Sequence, residues 1–438
     1  MESIRDLVDS GRRAAADVLS AGGIERDAPW SPEVPEDLRS WCPDLFDRFP
    51  IVLPWSQPEP VDPAKHHVWI LDNTAFPAPG LGDRRSALQA ASDPKKTQPE
   101  SIDASGRRQE VDTSPVWDVE FVAAYFINNS GKDISRIVAR IAEILDISPD
   151  DSATRKRIAT RLQPFLDTVL PKRTMRIQIA DREEQTLGPS NMSGVSTDLL
   201  QLHFETSESQ IKSSAINLPP PFTIPAVTVL AEERGWGIIS DVDDTIKVTK
   251  TPSPVEVLRA TFIKETPEVV PGMPELYADM HSVFKSPAWF YLSASPYNLY
   301  PFLRQFRNDH FPQGTMILRD ASWQNLGGLI TSLSRGTQAY KVDRIEKINS
   351  WFPRRKFLLI GDSTQSDPEA YGEIAKKHSG WVKAIFIRKV TGIDEMDATK
   401  NEDARFDKAF EGLDRGLWKV FTEPAELRSM VNDLAASS

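Results

Sequence analysis

The chain has 438 residues, with 52 Lys and Arg against 63 Asp and Glu and a formal net charge of −11. That length allows two or three domains with cores of their own. The acidic balance argues against general nucleic-acid binding or bulk attraction to anionic lipid, though not against a local basic patch. A single cysteine, Cys42, excludes an intramolecular disulfide and a cysteine metal cluster and points to a reducing compartment. No apolar run of about 18 residues is present to span a membrane.

Residues 3–20 place Ile4, Leu7, Val8 and Val18 on one face of a predicted helix, with a mixed polar face that favours packing on its own protein over a membrane surface. Glu2, Asp6, Asp9 and Asp17 argue against a transit peptide, and a signal-peptide apolar core is lacking. Residues 28–63 are proline-rich. Spacings such as Pro29-Trp-Ser-Pro32 and Pro60-Val-Asp-Pro63 are compatible with ligands of SH3 modules, but an irregular packed segment explains them more simply. His67–Phe76 reads as a strand, 78–115 as a disordered insertion, and Trp117–Ile127 as another strand. Two helical patterns follow, one through Ile134, Ile137, Val138, Ile141 and Leu145, the other through Ile158, Leu162, Phe165 and Val169. Strand-like runs at Arg173–Ala180, Leu199–Thr206 and Phe222–Leu230 then predict a small β-sandwich, in which His66, His67 and His203 read as structural or solvated and not as ligands.

The rhythm changes at Gly235. Apolar runs at Trp236–Ser240, Ala288–Ser293, Thr315–Leu318, Phe357–Ile360 and Val382–Ile387 alternate with helical patterns, the sequence form of a doubly wound parallel sheet. A last helix is predicted over Pro424–Ala435. The domains expected are therefore a helical and proline-rich segment (1–66), a β-rich α+β domain (67–232) and an α/β domain (233–438).

The first strand of the α/β domain runs into Asp241-Val-Asp243-Asp244-Thr245, carboxylates at a strand's C-terminal end, where open α/β sheets place their ligands. Two carboxylates two residues apart suit a nucleophile and its acid/base partner around a divalent cation. Three further features could converge there. Phe290-Tyr-Leu-Ser293-Ala-Ser295 offers hydroxyls and N–H groups at a helix start. Lys341 opens a predicted helix, where a cation is unfavourable unless an anion lies nearby. Gly361-Asp362 followed by Asp367 adds oxygen ligands for a hard cation such as Mg²⁺. Taken singly, each has a simpler reading: a capping Ser293, a solvated Lys341, an N-cap Asp367. Their joint order is what makes a site.

These four motifs resemble those of the haloacid-dehalogenase-like phosphohydrolase superfamily. That resemblance implies Asp241 as nucleophile and Asp243 as acid/base. It implies Mg²⁺ held by Asp241, the Asp243 carbonyl oxygen and Asp362 with support from Asp367. Thr245, Ser293, Ser295 and Lys341 would bind the phosphoryl group, Lys341 also acting in catalysis. The fuller wording, including Asp-Val-Asp-Asp-Thr-Ile-Lys247 and Ile-Gly-Asp-Ser-Thr-Gln-Ser-Asp367-Pro-Glu-Ala-Tyr371, is similar to the fungal actin-patch phosphatidate phosphatase family over 235–390. Leu71-Asp-Asn-Thr-Ala75 and Glu184-Gln-Thr-Leu-Gly-Pro189 resemble the N-terminal domain of that family. The implied activity is Mg²⁺-dependent conversion of phosphatidate or other lipid phosphates at a membrane surface, in a cytoplasmic, peripheral protein of cortical actin patches. Two alternatives stay open: a phosphatase of protein or soluble phosphoesters, and an endocytic scaffold with SH3-containing partners and secondary catalysis.

The gaps between motifs are too short for a large cap. The expectation is therefore an open site, with Val248, Phe262 and Tyr297 touching a bilayer and Lys247, Lys250 and Lys264 near its headgroups.

Overall fold

The strand–helix alternation after Gly235 and the β-rich character before it both set the architecture seen in the computed structural model, which describes residues 57–78, 101–102, 108–109, 116–127, 134–203, 209–319 and 337–437. The predicted N-terminal helix and most of the proline-rich segment and the 78–115 insertion lie outside the described residues. Pro60–Ser438 is one compact unit.

Its β-rich part has eight principal strands: β1 (His66–Ile70), β2 (Asn73–Pro77), β3 (Val116–Ile127), β4 (Arg173–Ile179), β5 (Glu183–Leu187), β6 (Val195–His203), β7 (Gln210–Ala215) and β8 (Ala226–Leu230). With three two-residue pieces they hydrogen-bond into one branched, 11-stranded sheet. The long β3 is its spine: β2 and β1 pair along one edge, β6 along the other. Val68, Phe121, Ile177 and Leu202 meet in the core of this part. Between β3 and β4 lie α1 (Ser135–Ile144) and α2 (Ser152–Leu166), whose start is capped by the Asp151 carboxylate accepting from Thr154 N–H.

The single strand expected over His67–Phe76 is broken at Leu71–Asp72, where a buried carboxylate is anchored. The fully buried Asp72 carboxylate accepts from both Nε and Nη2 of Arg304 (2.9 Å each), from Arg307 (2.6 Å) and from Val227 N–H (2.8 Å). A charge this deep is tolerated only when its lone pairs are filled.

The second part carries β9 (Trp236–Asp241), β10 (Ala288–Pro296), β11 (Thr315–Arg319), β12 (Lys356–Asp362), β13 (Val382–Arg388) and β14 (Trp418–Phe421) in one sheet, ordered β11-β10-β9-β12-β13-β14 and parallel throughout. Successive residues go to opposite faces, as strand geometry demands. Ile238, Tyr291 and Leu358 join a core with α3 (Pro254–Leu258), α4 (Met273–Val283), α5 (Tyr300–His310) and α9 (Arg428–Ala436). Ile239, Phe290 and Leu359 join another with α6 (Thr337–Trp351), α7 (Asp367–Lys377) and α8 (Asp403–Ala409). The sheet is thus covered on both faces, which is why its strands read as unbroken apolar runs. The first of these cores continues into Leu71, Ile141, Ile158 and Leu162 of the preceding part. Strands β5, β7 and β14 and helix α8 were not foreseen; all are short or polar, and their periodicity is too brief to register.

Candidate active site

Because the six strands share one direction, the ends of β9, β10 and β12 reach the same edge of the sheet. Asp241 is the last residue of β9, Ser293 and Ser295 lie near the end of β10, Asp362 ends β12, and Asp367 opens α7. Lys341 comes from α6. It sits in the second turn, not at the start as expected, and the anions expected beside it are the Asp241 and Asp367 carboxylates.

The structure brings all these residues together. Lys341 Nζ donates to Asp241 Oδ1 at 2.7 Å and also to Asp367 Oδ1. Thr245 Oγ1 donates to Asp241 Oδ2 (3.1 Å) and lies 3.4 Å from Asp362 Oδ2. Asp362 N–H donates to Asp367 Oδ2 at 3.0 Å. Asp241, Asp362 and Asp367 each present one oxygen within 4.8 Å of the others. Asp243 faces a second group: its Oδ2 accepts from Ser293 Oγ at 2.8 Å and lies 3.4 Å from Ser295 Oγ, while its Oδ1 accepts from Thr249 Oγ1 at 2.7 Å and pairs with Lys247 Nζ at 3.0 Å.

Burial decides the electrostatics. It is the largest influence on Asp241, which it pushes well above the usual carboxylate range; Lys341 opposes this, and Asp367 and Asp362 reinforce it. Asp362 is pushed up to about 7 by burial and then by Asp367 and Asp244. For Lys341 burial disfavours the charge, but Asp241, Asp367 and Asp362 outweigh it and hold the ammonium above its ordinary range. Asp243 differs. Burial raises its carboxyl too, yet Lys247 and the hydrogen bonds from Thr249 and Ser293 prevail and keep it below the usual range. Three clustered carboxylates face one ammonium, and the upward shifts of Asp241 and Asp362 show that one cation does not compensate them. Hard oxygen donors with excess negative charge fit a divalent cation such as Mg²⁺.

Lys247, Thr249 and Asp244 belong to this site and were not read as such in the sequence. Asp244 has a left-handed backbone (φ 60°), and its carboxylate accepts the N–H groups of Thr249, Lys250 and Thr251. That ring of bonds folds the chain back and lays Lys247 and Thr249 on Asp243. The available signal was Asp-Asp-Thr followed by a threonine-rich stretch, since a short acidic side chain favours such local closure.

The expected open, bilayer-facing rim is corrected. Asp241, Asp243, Ser293, Lys341, Asp362 and Asp367 are at most 2% exposed. Phe262 is buried beside Phe165, and Tyr297 is buried with its hydroxyl donating to Ser193 O. Val248 packs on the core, Lys247 is consumed by Asp243, and Lys250 and Lys264 pair with Glu256 and Glu268. Phe262, Tyr297 and Lys247 are thus used internally, whereas Lys250 and Lys264 stay partly exposed in surface ion pairs.

Gly361 is required by close approach. A Cβ there would lie 2.5 Å from Asp367 Oδ2, the atom that Asp362 N–H holds. Gly361→Ala should displace Asp367 and cost about 1–3 kcal/mol, as overpacking does. Thermal melting and a loss of divalent-cation binding check this.

A parallel α/β unit with a buried Asp/Lys centre at the carboxyl ends of its strands is the class that fold and geometry define. Residues 236–389 match the family described as Phosphatidate phosphatase APP1, catalytic domain. The chain is 29% identical over 241 residues to Phosphatidate phosphatase APP1 of Saccharomyces cerevisiae, covering 52% of this chain and 40% of that protein. It is 26% identical over 219 residues to an uncharacterized protein of Schizosaccharomyces pombe, covering 48% of this chain and 33% of that one. It therefore spans well under half the length of either relative. A solved structure of a carbohydrate esterase aligns over 69% of this chain and 93% of its own, with 11% identity and a TM-score of 0.18, too low to carry an argument.

Proposed function

We propose that the protein is a Mg²⁺-dependent phosphatidate phosphatase that releases diacylglycerol and phosphate. What carries the reading is the pairing of a buried Asp241–Lys341–Asp362–Asp367 cluster with a separately held Asp243, inside a segment of the matching catalytic family. Its α/β part is read as a haloacid-dehalogenase-like, doubly wound domain (233–438) without a large cap, after a helical and proline-rich segment (1–66) and a domain containing a small β-sandwich (67–232). No helix among the described residues is long and apolar enough to cross a membrane. The proposed setting is cytoplasmic and peripheral, at cortical actin patches, with SH3-containing proteins as partners.

In this mechanism an Asp241 oxygen attacks phosphorus, and the P–O bond to the lipid breaks as the leaving oxygen takes a proton from Asp243. The Asp243 carboxyl is ionised in the substrate-free site and must take up that proton once substrate displaces its present donors. Asp243 then takes a proton from water, whose oxygen attacks the aspartyl-phosphate; phosphate leaves and Asp241 is restored. Lys341, Ser293 and Ser295 bind phosphoryl oxygens as their present carboxylate partners give way to substrate. Asp241, the Asp243 carbonyl oxygen and Asp362, with support from Asp367, would hold Mg²⁺, which supplies charge neutralisation around the transferred group.

Asp243→Asn keeps the shape and removes the proton carrier. Turnover should fall about 10²–10⁴-fold, with phosphorylated Asp241 accumulating if leaving-group departure survives the substitution better than hydrolysis. Rapid quench followed by mass spectrometry reads this directly.

The deciding experiment is phosphate release from phosphatidate in mixed micelles and from a panel of protein and soluble phosphoesters, with and without Mg²⁺. Activity on phosphatidate that falls as neutral detergent dilutes the surface at constant bulk lipid is the expected result. Preference for a soluble phosphoester would replace this reading.

A further inference from the structure

Helix α2 lies outside the segment that matches the catalytic family, yet it touches both chain segments that leave the site. The first is the excursion after Asp241. Its ends are zipped by the Lys247–Val269 bridge, and its tip is α3 continued by a π-helical turn, Arg259–Ile263, in which Lys264 N–H reaches back to Arg259 O. A helix end leaves carbonyls without partners. Here α2 supplies them: Arg157 donates to Ile263 O at 2.8 Å, and Arg161 donates to Thr261 O (3.0 Å), Lys264 O (2.6 Å) and Glu265 O (2.7 Å). The guanidinium of Arg161 also lies 4.4 Å from the Phe302 ring of α5. The second segment follows Ser293 and Ser295. There the buried Asn298 donates to Pro164 O, one turn beyond Arg161 near the C-terminal end of α2, at 2.7 Å.

The first segment carries Lys247 and Thr249, which hold Asp243 Oδ1; the second is continuous with Ser293 and Ser295, which face Asp243 Oδ2. The geometry points to α2 as a strut that fixes both sides of the Asp243 carboxylate, with Arg161 as its principal positioning residue. This rests on the phosphatase reading of the site, because it assigns Asp243 a geometry that matters for turnover. Displacement of a reacting group by about 1 Å costs on the order of 10²-fold. An arginine fork that serves three carbonyls is the part whose loss would allow such a shift.

The test uses the full chain and four proteins: wild type, Arg161→Ala, Arg161→Lys and Ile177→Ala. Ile177 is buried in the β-rich core away from α2, so its truncation lowers stability without touching the strut. Arg161→Ala should lower kcat about 10- to 100-fold with KM within about twofold. Arg161→Lys should fall between, and added guanidinium ion should recover part of kcat in Arg161→Ala only. Ile177→Ala should lower Tm and leave kcat near wild type at a temperature where it is folded. Unchanged kcat in folded Arg161→Ala overturns the proposal, as does an equal loss in Ile177→Ala at matched Tm loss. Hydrogen exchange separates this from the functional reading. Amides at 246–265 should exchange faster in Arg161→Ala whatever the substrate, and unchanged exchange there overturns the strut even if no phosphoester is turned over.

Discussion

Asp241→Asn is expected to reduce phosphate release by about 10⁴-fold or more, the scale of losing a nucleophile. Asn fills nearly the same volume but offers no anionic oxygen to phosphorus. The fold should survive. Lys341 keeps its bond to Asp367, and the lost carboxylate is one that burial and its acidic neighbours already force well above the usual carboxylate range. In the absence of metal the variant should melt at or above wild type, while binding Mg²⁺ more weakly. Phosphate release, thermal melting and calorimetric Mg²⁺ titration report the three quantities separately. Near-wild-type turnover in a folded variant would remove Asp241 from the mechanism.

Lys341→Met should lose both stability and activity. Lys341 is fully buried and is the cation shared by Asp241 and Asp367. Removing one member of a buried ionic group while leaving the rest costs about 3–5 kcal/mol. The protein can soften the loss by binding protons, and this fixes the sign of the pH effect. Asp362 already titrates at about 7 against an ordinary 3.8, so the folded state binds protons that the unfolded state has released. That favours folding at low pH and is lost as pH rises through the folded value. The destabilisation of Lys341→Met should therefore be larger at pH 8 than at pH 5.5, and Mg²⁺ should offset part of it. Activity should fall about 10²–10³-fold, the usual consequence of removing one stabilising donor from a transferring group. Melting curves at the two pH values, each with and without Mg²⁺, make the comparison. A loss independent of pH would show that Lys341 is not the counter-charge of the acidic cluster.

Recognition of the site residues owed much to their position at strand ends. Ile238-Ile239-Ser-Asp241 and Leu358-Leu-Ile-Gly-Asp362 are apolar runs closed by a carboxylate, and a parallel sheet carries all such ends to one edge. Residue order alone thus places Asp241, Ser293 and Asp362 together. Lys341 and Asp367 follow because α6 and α7 pack on the face that joins them. Lys247 was invisible for the opposite reason. Its place depends on the ring of hydrogen bonds around Asp244, a local closure without periodicity, and adjacency in sequence suggested an exposed lysine where the fold buries one.

What the sequence by itself determined was the alternation of buried strands with amphipathic helices and the kind of chemistry its acidic strand ends can support. Both depend on local spacing, which hydrophobic period and strand direction convert into position. Closure of the site, the fate of Phe262 and Tyr297, and the break at Asp72 were decided only in three dimensions. The three residues each depend on a partner more than 90 residues away: Phe165 for Phe262, Ser193 for Tyr297, and Arg304 and Arg307 for Asp72. A buried charge or ring takes whichever partner the packed structure delivers, and no periodicity in the chain encodes which one that is.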